Sequence, residues 1–487
     1  MWIGNNSGTS YLPVCQEPKK HDYRKSFVTR GPISEFNQDY DILEKLGEGG
    51  FARIFKVRHK PTNSIRVAKI VKLYSKTDLR IFNNEVDIMT RLDSPYVNRI
   101  ISYYIDDTSL FEGRNRDIPT AILVTHYVPG IDLLDYVNDL ISKKAAFSYS
   151  QSWSVAYEMI RAVAFVNQSG FVHRDIKPEN FVLVKSEGTS QKLKLIDFGL
   201  ASPIGSPHLI AETGGTTFYM APETSGQRNY TEKCDSWSIG VILAMLASGG
   251  TAVVGRVTSL GPTNKRIVSE EAIRIEIENL RKKGVHNELV SLISDLMNYI
   301  PSERLSAIQC LRRFPRSEVD PRDVESIVYK LCAIRDAPPF ARLMRSLVAH
   351  MTEDAKVAEA ERLFRLIDKA GSGKLSRSGL ATLTDWDQSN LYDIIRSSPF
   401  DEITYNEFLS AFIDIRSDYS LNILRYIFDK LAGAEGVIDS KSLGEYLRPS
   451  GVQDVDSLIN SCSDAIGDAV ASHLDFDSFM RCVNSID

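Results

Sequence analysis

The chain has 487 residues, of which 25% are charged and 43% hydrophobic, and its formal net charge is -5. That length predicts two or three domains of ordinary soluble globular composition, and the charge excludes a general affinity for nucleic acid or acidic membranes. No apolar run approaches the roughly 20 residues that span a bilayer, and the six cysteines lack metal-ligand spacing, as expected of reduced thiols in a cytoplasmic protein.

Residues 1–39 are polar, with Gly, Ser, Asn and Pro interspersed, and are expected to form a flexible N-terminal extension. Trp rather than Gly stands at position 2, so the usual N-myristoylation is not expected. Tyr40 to Leu46 and Arg53 to Val57 read as strands on either side of Gly47-Glu48-Gly49-Gly50-Phe51-Ala52. Glycines there let the backbone close over a phosphate chain, with Phe51 at the tip to shield it from water. Alone, such a hexamer is a weak signal. Phe82, Glu85, Val86, Met89 and Leu92 fall on one helical face, with Glu85 the acid on the inward stripe.

The segment Val172-His173-Arg174-Asp175-Ile176-Lys177-Pro178-Glu179-Asn180 is far more specific. An Asp followed five positions later by an Asn, inside His-Arg-Asp-x-Lys-Pro-x-x-Asn, is the loop of a phosphotransferase that uses magnesium and ATP. Asp197-Phe198-Gly199 follows seventeen residues later, after the strand-like Leu193-Lys194-Leu195-Ile196, and then comes Met220-Ala221-Pro222-Glu223. On these motifs, in this order, the chain resembles the eukaryotic-type protein kinases. The likeness implies a bilobal α+β kinase fold over residues 40–315, strands first and helices after.

The resemblance also implies roles. Asp175 would accept the proton of the substrate hydroxyl, Lys177 would neutralise charge on the phosphoryl group, and Asn180 and Asp197 would hold Mg2+. Lys69, in Val67-Ala68-Lys69, would hold the α- and β-phosphates and pair with Glu85. ATP would be lined by Gly47, Glu48, Gly49, Gly50, Phe51, Ala52, Ile54, Ala68, Lys69, Thr125, His126, Val128, Asp132, Asn180 and Asp197, with Thr125 at the gate of the adenine pocket. Ala52 replaces the third glycine of the family pattern. Lys177 is the serine/threonine-kinase form of the loop. Non-catalytic relatives typically lose Lys69, Asp175, Asn180 or Asp197; all four are present. Glu223 and Arg304 match an ion pair under the activation segment, and Asp235 matches a buried acid behind the catalytic loop.

Glu179 and Asp132 stand where basophilic kinases receive a substrate arginine, which implies protein substrates with basic residues upstream of Ser or Thr. Arg174 marks kinases often ordered by a phosphate. Thr213 is the better acceptor, since Thr216 aligns with a threonine that bonds the catalytic Asp, and Glu212 is an alternative fixed charge. Thr251-Ala252-Val253-Val254-Gly255 and Arg313-Phe314-Pro315 depart from the family pattern.

Residues 316–351 read as an amphipathic junction of two helices, one carrying Val324, Ile327, Val328 and Leu331, the other Phe340, Met344, Leu347, Val348 and Met351. Arg342 and Arg345 give the second the character of a helix that an EF-hand lobe grips. Residues 352–487 contain four half-loops centred on Leu375, Ile403, Ile438 and Leu474, the last two 36 apart and the first two 28 apart. Kinase, junction and helical repeats together resemble the calcium-dependent protein kinases, implying an all-α calmodulin-like domain that contacts the junction.

Calcium needs oxygen ligands at loop positions 1, 3, 5 and 9 and a bidentate Glu at 12. The first loop offers Asp368, Ala370, Ser372 and Ser376, then Gly379; the second offers Arg396, Ser398, Phe400 and Thr404, then Glu407. The third has Leu431, Gly433, Glu435, Asp439 and Ser442, the fourth Gly467, Ala469, Ala471, Asp475 and Ser478. Too few carboxylates face a divalent ion, so Ca2+ binding at physiological levels is not expected. A residual weak site in loop 1 or 3 is the competing reading.

Overall fold

The structure is a computed structural model that describes residues 23–49, 52–106, 118–143, 147–184, 192–206, 218–224, 231–249, 259–260, 266–267, 269–315, 320–376, 402–433, 435–466 and 473–485. Gly50, Phe51, Glu212, Thr213, Thr216 and the segment 251–255 lie outside them, as do Gly379, Arg396, Ser398, Phe400, Gly467, Ala469 and Ala471.

The extension expected to be flexible is folded from Tyr23 onward. It forms α1 (Arg24–Phe27), β1 (Thr29–Gly31) and α2 (Ile33–Asp39). β1 lies parallel to the later strand Ile100–Ile105, with Thr29 opposite Ser102, and Phe36 of α2 stacks on Tyr40 with ring centroids 5.0 Å apart. Two aromatic anchors, Phe27 and Phe36, are buried here. They sit in a polar, aperiodic stretch, so hydrophobic periodicity could not reveal them.

β2 (Tyr40–Glu48), β3 (Ala52–His59) and β4 (Ser64–Lys72) run antiparallel, and α3 (Lys76–Arg91) follows. With β5 (Ile100–Ile105) and β6 (Thr120–His126) they complete a six-stranded sheet in the order β1-β5-β6-β4-β3-β2. Ser75 starts α3 by accepting the Asp78 backbone N–H, one of the donors a helix start would otherwise leave unmet. The helix then buries Phe82, Glu85, Val86, Ile88 and Met89.

The second lobe is helical. β7 (Gly130–Asp132), β8 (Phe171–Val172), β9 (Phe181–Val184), β10 (Lys192–Leu195) and β11 (Ser202–Pro203) are short strands along the cleft. α4 (Leu133–Ser142), α5 (Tyr149–Gln168), α6 (Lys233–Ala247), α7 (Glu270–Lys282), α8 (Asn287–Leu296) and α9 (Ala307–Leu311) form the body. Every residue of α6 from Cys234 to Leu246 is buried, as befits a helix apolar on most faces. Gly240 lets α8 approach: a Cβ there would stand 2.6 Å from Met297.

The two junction helices are α10 (Pro321–Asp336) and α11 (Pro339–Met351). α11 buries Phe340, Leu343, Met344, Leu347 and Val348, each worth about 1.5–3 kcal/mol of apolar burial. Their surroundings are α12 (Ala358–Ile367), α13 (Tyr405–Ser410), α14 (Asp418–Leu431), α15 (Ser440–Leu447), α16 (Val455–Ile466) and α17 (Phe476–Val483). Two-residue strands join the loops between these helices in pairs. Leu375 lies opposite Ile403, and Ile438 opposite Leu474, the apolar residues on which the sequence repeats centre. No helix among the described residues is long and apolar enough to cross a membrane.

This C-terminal region is seated on the kinase-like body through buried polar contacts. Lys194 meets Asp354 at 2.6 Å and Glu361 at 3.3 Å; Arg365 meets Glu158 at 2.6 Å and Glu361 at 3.0 Å; Arg99 meets Asp354 at 3.2 Å. All six side chains are buried. Arg66 donates to the Met351 carbonyl, the Ile65 N–H donates to Glu353 Oε1 at 2.6 Å, and Phe27 enters the same apolar cluster as α11.

Candidate functional site

The cleft between the lobes brings together residues from four segments. Lys69 on β4 lies 2.7 Å from Glu85 Oε1 of α3 and 2.7 Å from Asp197 Oδ1. Asp175 Oδ2 receives Lys177 Nζ at 2.6 Å and Asn180 Nδ2 at 3.1 Å, and that amide also donates to the Asp175 carbonyl at 2.7 Å. Arg174 and Asp197 hold left-handed backbone angles, φ 68° and 60°, a strain of the kind kept where surroundings over-determine it. Asp235, 1% exposed, provides that restraint at the first position: its carboxylate accepts the backbone N–H groups of His173 and Arg174 at 2.8 and 2.9 Å.

Burial alone would lower the Lys69 ammonium, but the Asp197 and Glu85 carboxylates hold its pKa above the ordinary lysine value. Burial would likewise raise Asp197, yet Lys69 and the Gly199 N–H keep it well below the usual carboxylate range. For Asp235 burial wins and pushes the carboxyl up against its hydrogen bonds. The imidazole of His173 is driven down by burial and packs edge-on against Phe198, 5.0 Å between centroids.

Glu223 and Arg304 form a double contact at 2.6 and 3.1 Å, with Arg304 fully buried beneath Trp237. Gly49 N–H donates to the Ala52 carbonyl at 2.9 Å and closes the turn, Gly47 lies opposite Ile54, and Glu48 opposite Arg53. Ile54 is paired with Lys69, and Phe55 with buried Ala68. Thr125 and Val128 are buried at the start and end of the interlobe link.

Two expected lining residues are engaged elsewhere. The His126 ring contacts the His350 carbonyl at 2.9 Å, on α11 of the C-terminal region, and its own carbonyl accepts from Asn98 at 3.1 Å. Its imidazole therefore faces away from the cleft. Asp132 caps α4 by accepting the Asp135 N–H at 2.8 Å. Asn84 was not anticipated: its amide donates to the Ala201 carbonyl at 2.9 Å, tying α3 to the segment after Gly199. Its place directly before Glu85 was the available signal.

In the C-terminal loops, Asp368 is 2% exposed and accepts from Ser372 N at 2.9 Å, Gly373 N at 2.8 Å and the Tyr96 hydroxyl at 3.2 Å. Burial pushes its carboxyl up, opposed by Arg161 and these hydrogen bonds. Glu407 is drawn into a capping box with Thr404, its Oε2 accepting the Thr404 N–H at 2.8 Å. Asp439 and Asp475 cap α15 and α17. Among the described residues no group of three or more His, Cys, Asp or Glu side chains converges as a metal site.

Residues 40–314 match the protein kinase domain family. Over most of its length the chain is also similar to several relatives. Calcium-dependent protein kinase 4 of Plasmodium falciparum (isolate 3D7) is 25% identical over 456 residues, 87% of this chain and 81% of the relative. Calcium-dependent protein kinase 33 of Arabidopsis thaliana is 25% identical over 499 residues, 98% of this chain and 91% of the relative. Calcium-dependent protein kinase 27 of the same plant is 24% identical over 410 residues, covering 82% and 81%. With a strand-rich first lobe, a helical second lobe and the match across both, the chain belongs to the protein kinase family and is a protein serine/threonine kinase.

Proposed function

We propose that the cleft moves the γ-phosphoryl group of ATP to a Ser or Thr hydroxyl of a protein, and that an EF-hand-type calmodulin-like domain, residues 352–487, supports it without a calcium switch. Lys69 held 2.7 Å from both Glu85 and Asp197 carries the first part of this reading. That triad sets a cation where α- and β-phosphates are gripped and keeps α3 drawn toward the cleft. Magnesium, when bound, neutralises phosphate charge while keeping most ligands as water and phosphate oxygens, so Asn180 and Asp197 suffice to hold it. With its amide hydrogens turned to Asp175, Asn180 would hold the ion by its remaining side-chain oxygen. Asp175 orients the hydroxyl and takes its proton, and Lys177 counters charge as it spreads over the transferring group.

The reading extends to a preference for a basic substrate side chain, on the chemistry of Glu179. Among the described residues the Glu179 Oε2 atom is buried and meets no hydrogen-bond donor, a costly state for a carboxylate. An arginine upstream of the target Ser or Thr would satisfy it.

The relatives are named for calcium dependence, but the loops of this chain support a different control. Asp368 is already saturated with donors and Glu407 is committed to its cap. Among the described residues, polar contacts of the C-terminal region fall on Arg66, Arg99, Arg161 and Lys194 of the kinase domain. Phosphate transfer from Mg-ATP to an arginine-directed peptide tests both halves. Turnover that survives Asp175→Ala rejects the catalytic assignment. Stimulation of roughly tenfold or more by calcium over chelator, an ordinary allosteric coupling, rejects the calcium-free control.

A further inference from the structure

The loop after α12 is not merely degenerate; it is filled by hydrogen bonds and covered by the kinase domain. The Ser372 hydroxyl, at loop position 5, lies 3.2 Å from Asp368 Oδ1 and 3.0 Å from the Lys374 carbonyl, positions 1 and 7 of the same loop. These are three of the oxygens that would face an ion in a calcium-loaded loop. On the kinase side, α5 lies against the loop. Gln168 Nε2 donates to the Ala370 and Gly371 carbonyls at 3.2 Å each. A Cβ on Gly373, φ +70°, would stand 2.4 Å from the Phe165 ring, so only glycine permits this approach.

The positive charge comes from α5 as well. Arg161 is 4% exposed, and its guanidinium donates to the Arg365 carbonyl at 2.7 Å and the Asp368 carbonyl at 3.2 Å. Those carbonyls sit at the C-terminal end of α12, where a helix leaves acceptors unmet and favours a cation. The same guanidinium donates to the Tyr96 hydroxyl and lies over its ring, 4.5 Å from the centroid. Tyr96 in turn donates to Asp368 Oδ2. A relay runs from arginine through tyrosine to the first acid of the loop.

Building on the calcium-free reading above, we infer that this first loop is a metal-free docking element whose resident cation is Arg161 of the kinase domain. The loop binds its own kinase rather than an ion, and the seat exists at any calcium level. Arg161 and Tyr96 are positioning residues here, remote from the reacting atoms.

Hydrogen exchange on the full chain tests this, read over residues 358–376 in saturating calcium and in chelator. The wild type is expected to give equal protection in both. Arg161→Gln and Tyr96→Phe should each raise exchange of that segment roughly tenfold or more, calcium should restore neither, and Arg161→Lys should recover part of the protection. Tyr96→Phe removes one hydroxyl and keeps the ring, so it decides the matter if Arg161→Gln does not fold. Wild-type protection in Tyr96→Phe, or loss of protection in the wild type on chelation, overturns the inference. Equal protection in a wild type that fails to transfer phosphate would sink the proposed function and leave this seat standing.

Discussion

Two clusters of basic and acidic side chains dominate this molecule, and they are built from the same groups for opposite ends. Around Lys69, two carboxylates share one ammonium at the mouth of a cleft. Around Lys194, the carboxylates of Asp354, Glu361 and Glu158 are matched by Lys194, Arg99 and Arg365, all buried between two parts of the chain. The first stays open to solvent, with the Asp197 side chain 42% exposed, as the proposed hold on phosphate and metal requires. The second is shut away from solvent, and what it gains by charge pairing goes into holding two bodies together. Which role a charged cluster plays is decided by whether a ligand can reach it.

The largest effect expected of that contrast is catalytic. Asp175→Ala should lower turnover by roughly 10²–10⁴-fold, the usual worth of a positioned base, while the thermal midpoint stays unchanged. A loss of stability instead would mean that the cleft cluster is structural too. Breaking the other cluster should reverse the pattern. Lys194→Met leaves Asp354 and Glu361 short of one cation in a buried site, where losing one partner costs about 3–5 kcal/mol. Denaturant unfolding reads it directly. Because the pairs are shielded from solvent, added salt should change the result little. A loss that salt abolishes would show the cluster to be wet.

The cleft was legible in the sequence because its chemistry is local. Asp175, Lys177 and Asn180 lie in one loop, and Asp197 follows a strand whose pattern is plain. The apolar pairing residues of the C-terminal loops were legible for the same reason: Leu375, Ile403, Ile438 and Leu474 stand at fixed offsets from helix starts. The interdomain cluster was not. Glu361 and Arg365 are four apart and read as an ordinary surface pair on a helix, as do Glu158 and Arg161, three apart on α5. One sign was present: Lys194 within Leu193-Lys194-Leu195 is a lysine in a strand whose neighbours are wholly buried. Nothing local says which distant acids will meet it. His126 misled in the opposite sense, since its position belongs to the interlobe link but its ring answers to His350.

The N-terminal segment sharpens the comparison between the two regions, because it holds the seam by an apolar anchor and neutral hydrogen bonds rather than by a buried charge cluster. Phe27 lies in the cluster of α11 and is 6% exposed, while Ser26 reaches Ser450 with hydroxyls 2.8 Å apart. Phe27→Ala should cost about 3 kcal/mol, the lower end for a buried phenylalanine. Turnover per folded molecule should stay as in the wild type. If the variant unfolds no more readily, this segment rests on the surface without fastening it.

A last effect separates the clusters by pH. His59 is lowered from 6.5 to about 3, by burial first and then by Arg66 and Lys430. His350 is lowered to about 3 by burial, Arg99 and Arg66. Both sit on the seam, His59 edge-on to Tyr426 at 4.7 Å and His350 beside Phe27 at 5.6 Å. In the unfolded chain each imidazole takes its proton near pH 6.5, and in the folded chain only near 3. Above 6.5 neither form is protonated and the histidines contribute no pH dependence. As pH falls from 6.5 toward 3 the unfolded state binds the proton first, so stability is lost by about 1.4 kcal/mol per unit for each histidine. Lys69 and Asp197 titrate far outside that window, so their ion pair stays charged throughout it. Mild acid should therefore loosen the seam before it touches that pair, and His59→Asn should make the stability profile shallower. A profile that stays flat between pH 6.5 and 5 would mean that these imidazoles reach water in the folded chain, and that the C-terminal region does not cover them.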